Sequence, residues 1–268
     1  MSTTAHTRLH FAEHGEGVPV LAVHGWTPDH RLMTGCLEPV FAQRPGYRRL
    51  YPDLPGMGKS PAPESVASSD DVLAALEAFV DEHIGTEPFL LIGESYGGYL
   101  SRAIACARPQ QVLGLGLICP IGAIVPRAER DVPPHTVVVS DPELIASLSG
   151  PDTDFAEIAV VQDAESLRRF REDVAPGLAL TDTAAVERIG RRWELSTSPE
   201  ARGRFERPTL ILTGRQDSST GYADVYRLLD DYPRASFAIL DRAGHNLQIE
   251  QPRLFAALVG EWLDRVSE

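Results

Sequence analysis

Apolar runs of strand length alternate with stretches of helical periodicity along most of the chain. The runs are Thr7–Glu13, Pro19–Val23, Arg49–Tyr51, Phe89–Ile92, Val112–Ile118, Thr209–Thr213 and Ser236–Leu240. Asp70–His83 carries Val72, Leu73, Leu76, Phe79 and Val80 on one helical stripe, and Leu254–Val266 does the same with Leu254, Leu258, Val259 and Trp262. Strands alternating with helices in this way predict an α/β domain with a mostly parallel sheet covered on both faces. The closing helix should complete it.

The rhythm breaks after Ile118. From Pro120 to about Arg207 the sequence holds no convincing buried strand, only helix-like patches at Asp141–Leu148, Asp154–Val161, Ser166–Val174 and Ala184–Leu195, punctuated by prolines. Asp141-Pro142 reads as an N-cap followed by proline at the first helical position. The expectation is a core domain formed by 1–119 and 208–268, with 120–207 inserted as a helical lid over the strands' C-terminal ends. There is no internal repeat and no low-complexity linker.

Composition narrows the function class. With 43% hydrophobic and 24% charged residues over 268 positions, the chain reads as an ordinary globular protein. No apolar run approaches the length of a membrane span, and Met1–His6 lacks the basic start and apolar stretch of a signal peptide. Cys36, Cys106 and Cys119 are too scattered for a disulfide framework, so a reducing, cytoplasmic setting is expected. A formal net charge of −13 argues against nucleic acid and anionic membranes as partners and leaves a small-molecule substrate.

The candidate chemistry sits just after the apolar runs. Gly93-Glu94-Ser95-Tyr96-Gly97 follows Phe89–Ile92 and precedes a helical stretch, the context in which G-x-S-x-G forms a sharp strand–turn–helix elbow. Such a turn exposes the Ser95 hydroxyl beside helix N-terminal N–H groups, where an attacked carbonyl would develop negative charge. A serine needs a base to take its proton and an acid to orient that base. His245, in the loop after the last predicted strand, supplies the base. Asp217, just past Thr209–Thr213, supplies the acid, and is preferred to Asp241, which is too close in sequence to His245 to reach it comfortably. Two backbone N–H groups should hold the oxyanion. Tyr96, the residue after the nucleophile, offers one, and Trp26, in the loop Leu21-Ala22-Val23-His24-Gly25-Trp26, the other. Trp26 and Glu94 are the substrate-binding candidates; the Trp26 ring either walls the acyl pocket or packs. His24 is read as a structural hydrogen-bonder. Gly58-Lys59-Ser60 mimics the end of a phosphate-binding loop, but Asp53 stands where that motif needs glycine. With no metal-ligand spacing and no dinucleotide fingerprint, no cofactor and no metal are expected.

Together these residues resemble the α/β-hydrolase superfamily. His24-Gly25-Trp26 is similar to its oxyanion loop, Asp53-Leu54-Pro55-Gly56-Met57-Gly58-Lys59-Ser60 to its turn after an early strand, and Gly93–Gly98 to its nucleophile elbow. Gly214-Arg215-Gln216-Asp217 and Gly244-His245 resemble its acid and histidine loops. The resemblance covers Val20–Ile118 and Thr209–Val266, and the lid matches nothing recognisable. It implies an eight-stranded, mostly parallel sheet whose strand before Pro19 is an antiparallel edge strand. Serine at 95 disfavours the haloalkane dehalogenase and epoxide hydrolase branches, which carry aspartate there. Three functions are weighed: a lidded serine esterase, first; a carbon–carbon bond hydrolase or an aminopeptidase or amidase on the same triad; and a non-catalytic binding protein on a hydrolase fold.

Overall fold

The structure is a computed structural model and describes residues 7–268. The hexapeptide read above for a targeting signal lies outside the described residues. One sheet organises the chain. Its strands are β1 (Phe11–His14), β2 (Val18–Val23), β3 (Tyr47–Pro52), β4 (Phe89–Glu94), β5 (Val112–Ile118), β8 (Thr209–Gly214) and β9 (Ala235–Leu240), in the spatial order β1-β3-β2-β4-β5-β8-β9. The strands β6 (Val139–Ser140) and β7 (Val161–Gln162) pair separately. β1 alone runs antiparallel, with Phe11 opposite Pro52, and every other pairing in the large sheet is parallel.

Successive residues of each strand face opposite sides, and both sides are apolar. Leu21, Val23, Leu91, Leu115 and Ile211 point to the face covered by α2 (Ser69–His83) and α3 (Ser95–Ala107), where they meet Leu76, Phe79, Leu100 and Ile104. Val20, Ala22, Leu90, Ile92 and Leu212 point to the other face. There they meet Met33, Leu37 and Phe41 of α1 (His30–Phe41) and Phe255, Val259 and Trp262 of the last helix, Pro252–Ser267. Ser68 caps α2 by accepting from the Asp71 N–H, and Asp70 and Asp71 fill its first turn, the placement the helix dipole favours.

Between β5 and β8 the chain leaves the sheet. It forms α4 (Pro142–Ser147), α5 (Thr153–Ile158), α6 (Ala164–Arg169), a π turn over Phe170–Val174, α7 (Ala175–Leu178) and α8 (Thr183–Gly190). Asp141 caps α4 with Pro142 in its first turn, as the sequence suggests. The small core of this segment, Phe155, Leu167, Phe170 and Val174, is completed from outside by Leu32 of α1 and by Ile249. After β8 come α9 (Ala223–Tyr226), α10 (Leu247–Glu250), which carries Ile249, and α11 (Pro252–Ser267).

The structure differs from the sequence expectations in several places, among them the helix expected over Ala184–Leu195, which stops at Gly190. The large sheet has seven strands among the described residues, not eight. The first strand begins at Phe11 rather than Thr7: the His10 N–H donates to Ser60 Oγ instead of to a neighbouring strand. The segment 120–207 does contain strands, β6 and β7, but each is two residues long and carries no periodic signal. The helix expected over Asp154–Val161 stops at Ile158, and Val161 belongs to β7. Among the described residues no helix is long and apolar enough to cross a membrane.

Candidate active site

Every parallel strand ends on the same edge of the sheet, and the loops and turns that follow β2, β4, β8 and β9 bring the candidate residues together there. The elbow after β4 is the tightest. Ser95 has φ +52°, in the left-handed region that a residue with a side chain rarely enters. The flanking glycines are required by close approach: a Cβ on Gly93 would lie 2.5 Å from Gly97 O, and one on Gly97 would lie 2.4 Å from the carbonyl oxygens of Val23 and His24. The spacing G-x-S-x-G thus lets α3 start hard against β2 and β4.

Ser95 Oγ lies 2.9 Å from His245 Nε2, and His245 Nδ1 lies 3.0 Å from Asp217 Oδ2. The geometry is a hydroxyl donating to one ring nitrogen while the other ring N–H donates to a carboxylate. Asp217 is fully buried and held by three further donors: the N–H groups of Ser219 and Thr220 at 2.8 and 3.0 Å, and the Thr220 hydroxyl at 2.7 Å. Burial alone would raise its pKa, but the His245 charge and hydrogen bond, with Thr220, bring it down to about 2. Burial disfavours the His245 imidazolium too, yet Asp217, and the charge of Glu94 behind it, outweigh that and push the histidine up to about 9. Asp241, the other acid considered, is exposed at the end of β9, where its carbonyl accepts from Gln216 Nε2.

The Trp26 N–H has no hydrogen-bond partner among the described residues, and neither has that of Tyr96, since the first N–H groups of a helix have no intrahelical acceptor. α3 also lacks a side-chain cap, so its N-terminus faces the site bare. His24 stands behind this loop. Its Nδ1 is 2.7 Å from Gly25 O, its Nε2 accepts from the Leu54 N–H, and burial holds it neutral, in keeping with the structural reading. The Gly58-Lys59-Ser60 turn is tied to Asp53, whose carboxylate takes the N–H groups of Lys59 and His30 and the Nδ1 atoms of His10 and His30. His10, His30 and Asp53 have the donor set of a metal site. All four of those contacts fall on the Asp53 oxygens, however, and their geometry is that of a hydrogen-bonded staple.

Two chambers open at Ser95. The larger, about 730 Å³, is lined by Trp26, Trp193 and Ile121 together with Arg127, Arg130, Arg191 and Arg192, opposed by Asp70 and Glu194. The smaller, about 100 Å³, is walled by Pro28, Leu32, Ile158, Val174 and Leu178, with Glu94 and His245 at its inner end. Trp26 lines both, and its ring packs edge-on against Tyr96 and Trp193 at 5.0 and 4.8 Å. Glu94 is 2% exposed and its Oε1 is 3.4 Å from His245 Nε2. Residues of the 120–207 segment line both chambers.

The family model for the alpha/beta hydrolase fold matches residues 18–252. The chain belongs to the α/β-hydrolase family. Within that family it is 26% identical to the 2-hydroxymuconate semialdehyde hydrolase of Pseudomonas sp. strain CF600, over 96% of this chain and 90% of that one. Among solved structures it is similar to an alpha/beta superfamily hydrolase from Oenococcus oeni PSU-1, with a TM-score of 0.91, 28% identity and 98% of both chains covered. A thermophilic esterase from Thermogutta terrifontis shares the α/β-hydrolase fold at a TM-score of 0.68 and 22% identity, over 100% of this chain and 97% of that one.

Sequence reasoning missed two parts of this α/β-hydrolase site. Ser219 and Thr220 complete the acceptor shell of Asp217, and the run Asp217-Ser218-Ser219-Thr220 carries the signal, since an aspartate bonding the N–H two residues on is an Asx turn. Glu250 accepts from the Gly244 N–H at 2.6 Å and the Val160 N–H at 2.8 Å, joining the His245 loop to the inserted segment. No sequence pattern marks it.

Proposed function

We propose that the protein is a serine hydrolase that cleaves a small carboxylic ester through an acyl-enzyme on Ser95. The observation that carries this reading is the unbroken chain from Ser95 Oγ to His245 to Asp217, at 2.9 and 3.0 Å. His245 Nε2 takes the hydroxyl proton as Ser95 Oγ attacks the carbonyl carbon. The oxyanion is received by the N–H groups of Trp26 and Tyr96, and Asp217 stabilises the imidazolium. His245 returns the proton to the departing alkoxide, which leaves as alcohol. Water, deprotonated by the same nitrogen, then attacks the acyl carbon and releases the acid. The segment 120–207 acts as the lid, since Gly190–Trp193 wall the larger chamber and Ile158, Val174 and Leu178 the smaller.

A carbon–carbon bond hydrolase on the same residues is the second reading. It needs cations for a substrate carboxylate, and the larger chamber supplies them. Arg130 donates only to backbone carbonyls, of Val125 and Ser219, and burial beside Arg127 lowers its pKa. The similarity to 2-hydroxymuconate semialdehyde hydrolase supports the same reading. The test is hydrolysis of p-nitrophenyl esters from acetate to decanoate, beside a carboxylate-bearing dienone, by the wild type and Ser95→Ala. Ester turnover abolished in the variant supports the esterase. Dienone turnover without ester turnover moves the function to carbon–carbon cleavage, and neither activity in the folded protein overturns both.

A further inference from the structure

The smaller chamber combines apolar walls with one buried carboxyl. Pro28, Leu32, Ile158, Val174 and Leu178 offer no hydrogen bonds from their side chains, Thr27 and Asn246 add neutral polar groups, and Glu94 lines the chamber beside Ser95 as its one carboxyl. The fold makes room for it deliberately: a Cβ on Gly25 would stand 2.1 Å from Glu94 Oε2 and 3.1 Å from Ser95 Cβ, so only glycine at 25 lets the carboxyl lie alongside Ser95. Among the described residues no side chain donates a hydrogen bond to Glu94; the Gly25 N–H is the donor beside it, and its one ionic contact is His245 Nε2 at 3.4 Å. The groups facing it are His245 from the loop after β9, Asp217 from the loop after β8, Cys36 of α1 and Cys119 at the end of β5. Both thiols are kept neutral by burial and add no charge, so His245 is the one cation among these groups. A buried carboxyl with so few donors is costly: burial and the charge of Asp217 push this one up to about 7, against the opposing pull of His245 and the Gly25 N–H. It remains short of a donor whenever His245 is engaged with Ser95.

We propose that Glu94 is the recognition group of the smaller chamber and selects short acyl groups that bear a hydrogen-bond donor, a hydroxyl or an ammonium, on the carbon next to the scissile carbonyl. The chamber's about 100 Å³ limits the acyl group to a few atoms, and the long portion of the substrate occupies the 730 Å³ chamber on the other side of Ser95. Glu94 keeps acceptor capacity that the Gly25 N–H does not fill, and a site with a buried, under-bonded acceptor discriminates against the analogue that brings it no donor. The inference rests on the proposed function only in taking the bound group to be an acyl group.

The experiment compares p-nitrophenyl lactate with p-nitrophenyl propionate, each kcat/KM divided by the ester's own hydroxide-catalysed rate. It also measures, by calorimetry, the affinity of lactamide, alaninamide and propionamide, which require no turnover. The wild type should prefer the lactate ester by at least about tenfold, and Glu94→Leu should remove that preference. Glu94→Gln, nearly isosteric, covers the case in which the leucine variant does not fold: it keeps an acceptor for lactamide and loses the preference for alaninamide, which separates hydroxyl from ammonium recognition. Tighter binding of lactamide or alaninamide than propionamide, with no ester hydrolysed, sinks the esterase reading and leaves this one standing. Ester turnover with a ratio near one in wild type and variant, and equal amide affinities, overturns the role of Glu94 and leaves the esterase intact.

Discussion

The edge of the parallel sheet and the segment inserted into it are built on different terms. On the sheet edge, Ser95, Asp217 and His245 each follow a strand of six residues within a few positions, and those strands are paired on both sides or, for β9, packed against both β8 and its covering helices. In the insert, the only strand pair is two residues long, the helices outside the π-interrupted run 164–178 have six to eight residues, and the apolar cluster needs Leu32 and Ile249 of the core to close. Short helices and a borrowed core place the insert at the low end of local stability, while the sheet edge inherits the stability of the whole domain. On the proposed function, the reacting atoms are thus mounted on the rigid part, and part of the chamber lining on the softer one.

The sharpest break of that comparison is at the nucleophile. Ser95→Ala should lower kcat/KM for any accepted ester by about a thousandfold or more while leaving the thermal transition in place, because it removes one hydroxyl and relaxes nothing that packs. A fall of under tenfold would refute the serine mechanism. Gly97→Ala attacks the mounting instead of the chemistry. Its Cβ would meet the Val23 and His24 carbonyls at 2.4 Å, backbone that cannot step aside, so urea denaturation should show a global loss of about 3 kcal/mol. Phe170→Ala carries the test into the insert. It empties the centre of the small cluster, and a cost of about 3 kcal/mol should appear there first. Hydrogen exchange should accelerate over residues 142–190 and stay unchanged in β4 and β5, with KM rising more than kcat falls. Uniform acceleration across the chain would show that the two regions unfold as one.

The same contrast explains what could be read from the sequence. Strands of six or seven residues buried on both faces leave continuous apolar runs, and glycines needed for close approach leave a spaced motif, so Phe89–Ile92 and Gly93–Gly97 were legible together. Asp217 and His245 followed from chain order and strand ends. Thr220 was overlooked although its contact to Asp217 is local and the Asx turn marks it, whereas Glu250 was not legible, because its contact is set by tertiary packing: it reaches Val160, 90 positions away. β6 and β7 left no trace because two residues have no period. The missing start of β1 is equally a tertiary matter, since Ser60, 50 positions on, claims the His10 N–H.

The smallest expected effect tests whether two residues of the rigid edge share a charge. On the proposed mechanism kcat/KM requires neutral His245, and both Asp217 and Glu94 favour its protonated form, so the acid limb of the wild-type profile should lie above the ordinary histidine range. Glu94→Gln removes one of those two negative charges and leaves the Asp217 hydrogen bond untouched, while Arg130 continues to act in the opposite sense. The limb should therefore move to lower pH, by about one unit for a carboxylate at 3.4 Å. Because Glu94 and His245 exchange influence at that distance, the wild-type limb belongs to the pair and should be broader than a single titration, and the variant's should sharpen. A limb that stays in place would mean that Glu94 carries no charge when the enzyme is active. It would then meet the substrate as a carboxylic acid, accepting a hydroxyl through its carbonyl oxygen but offering no ion pair to an ammonium.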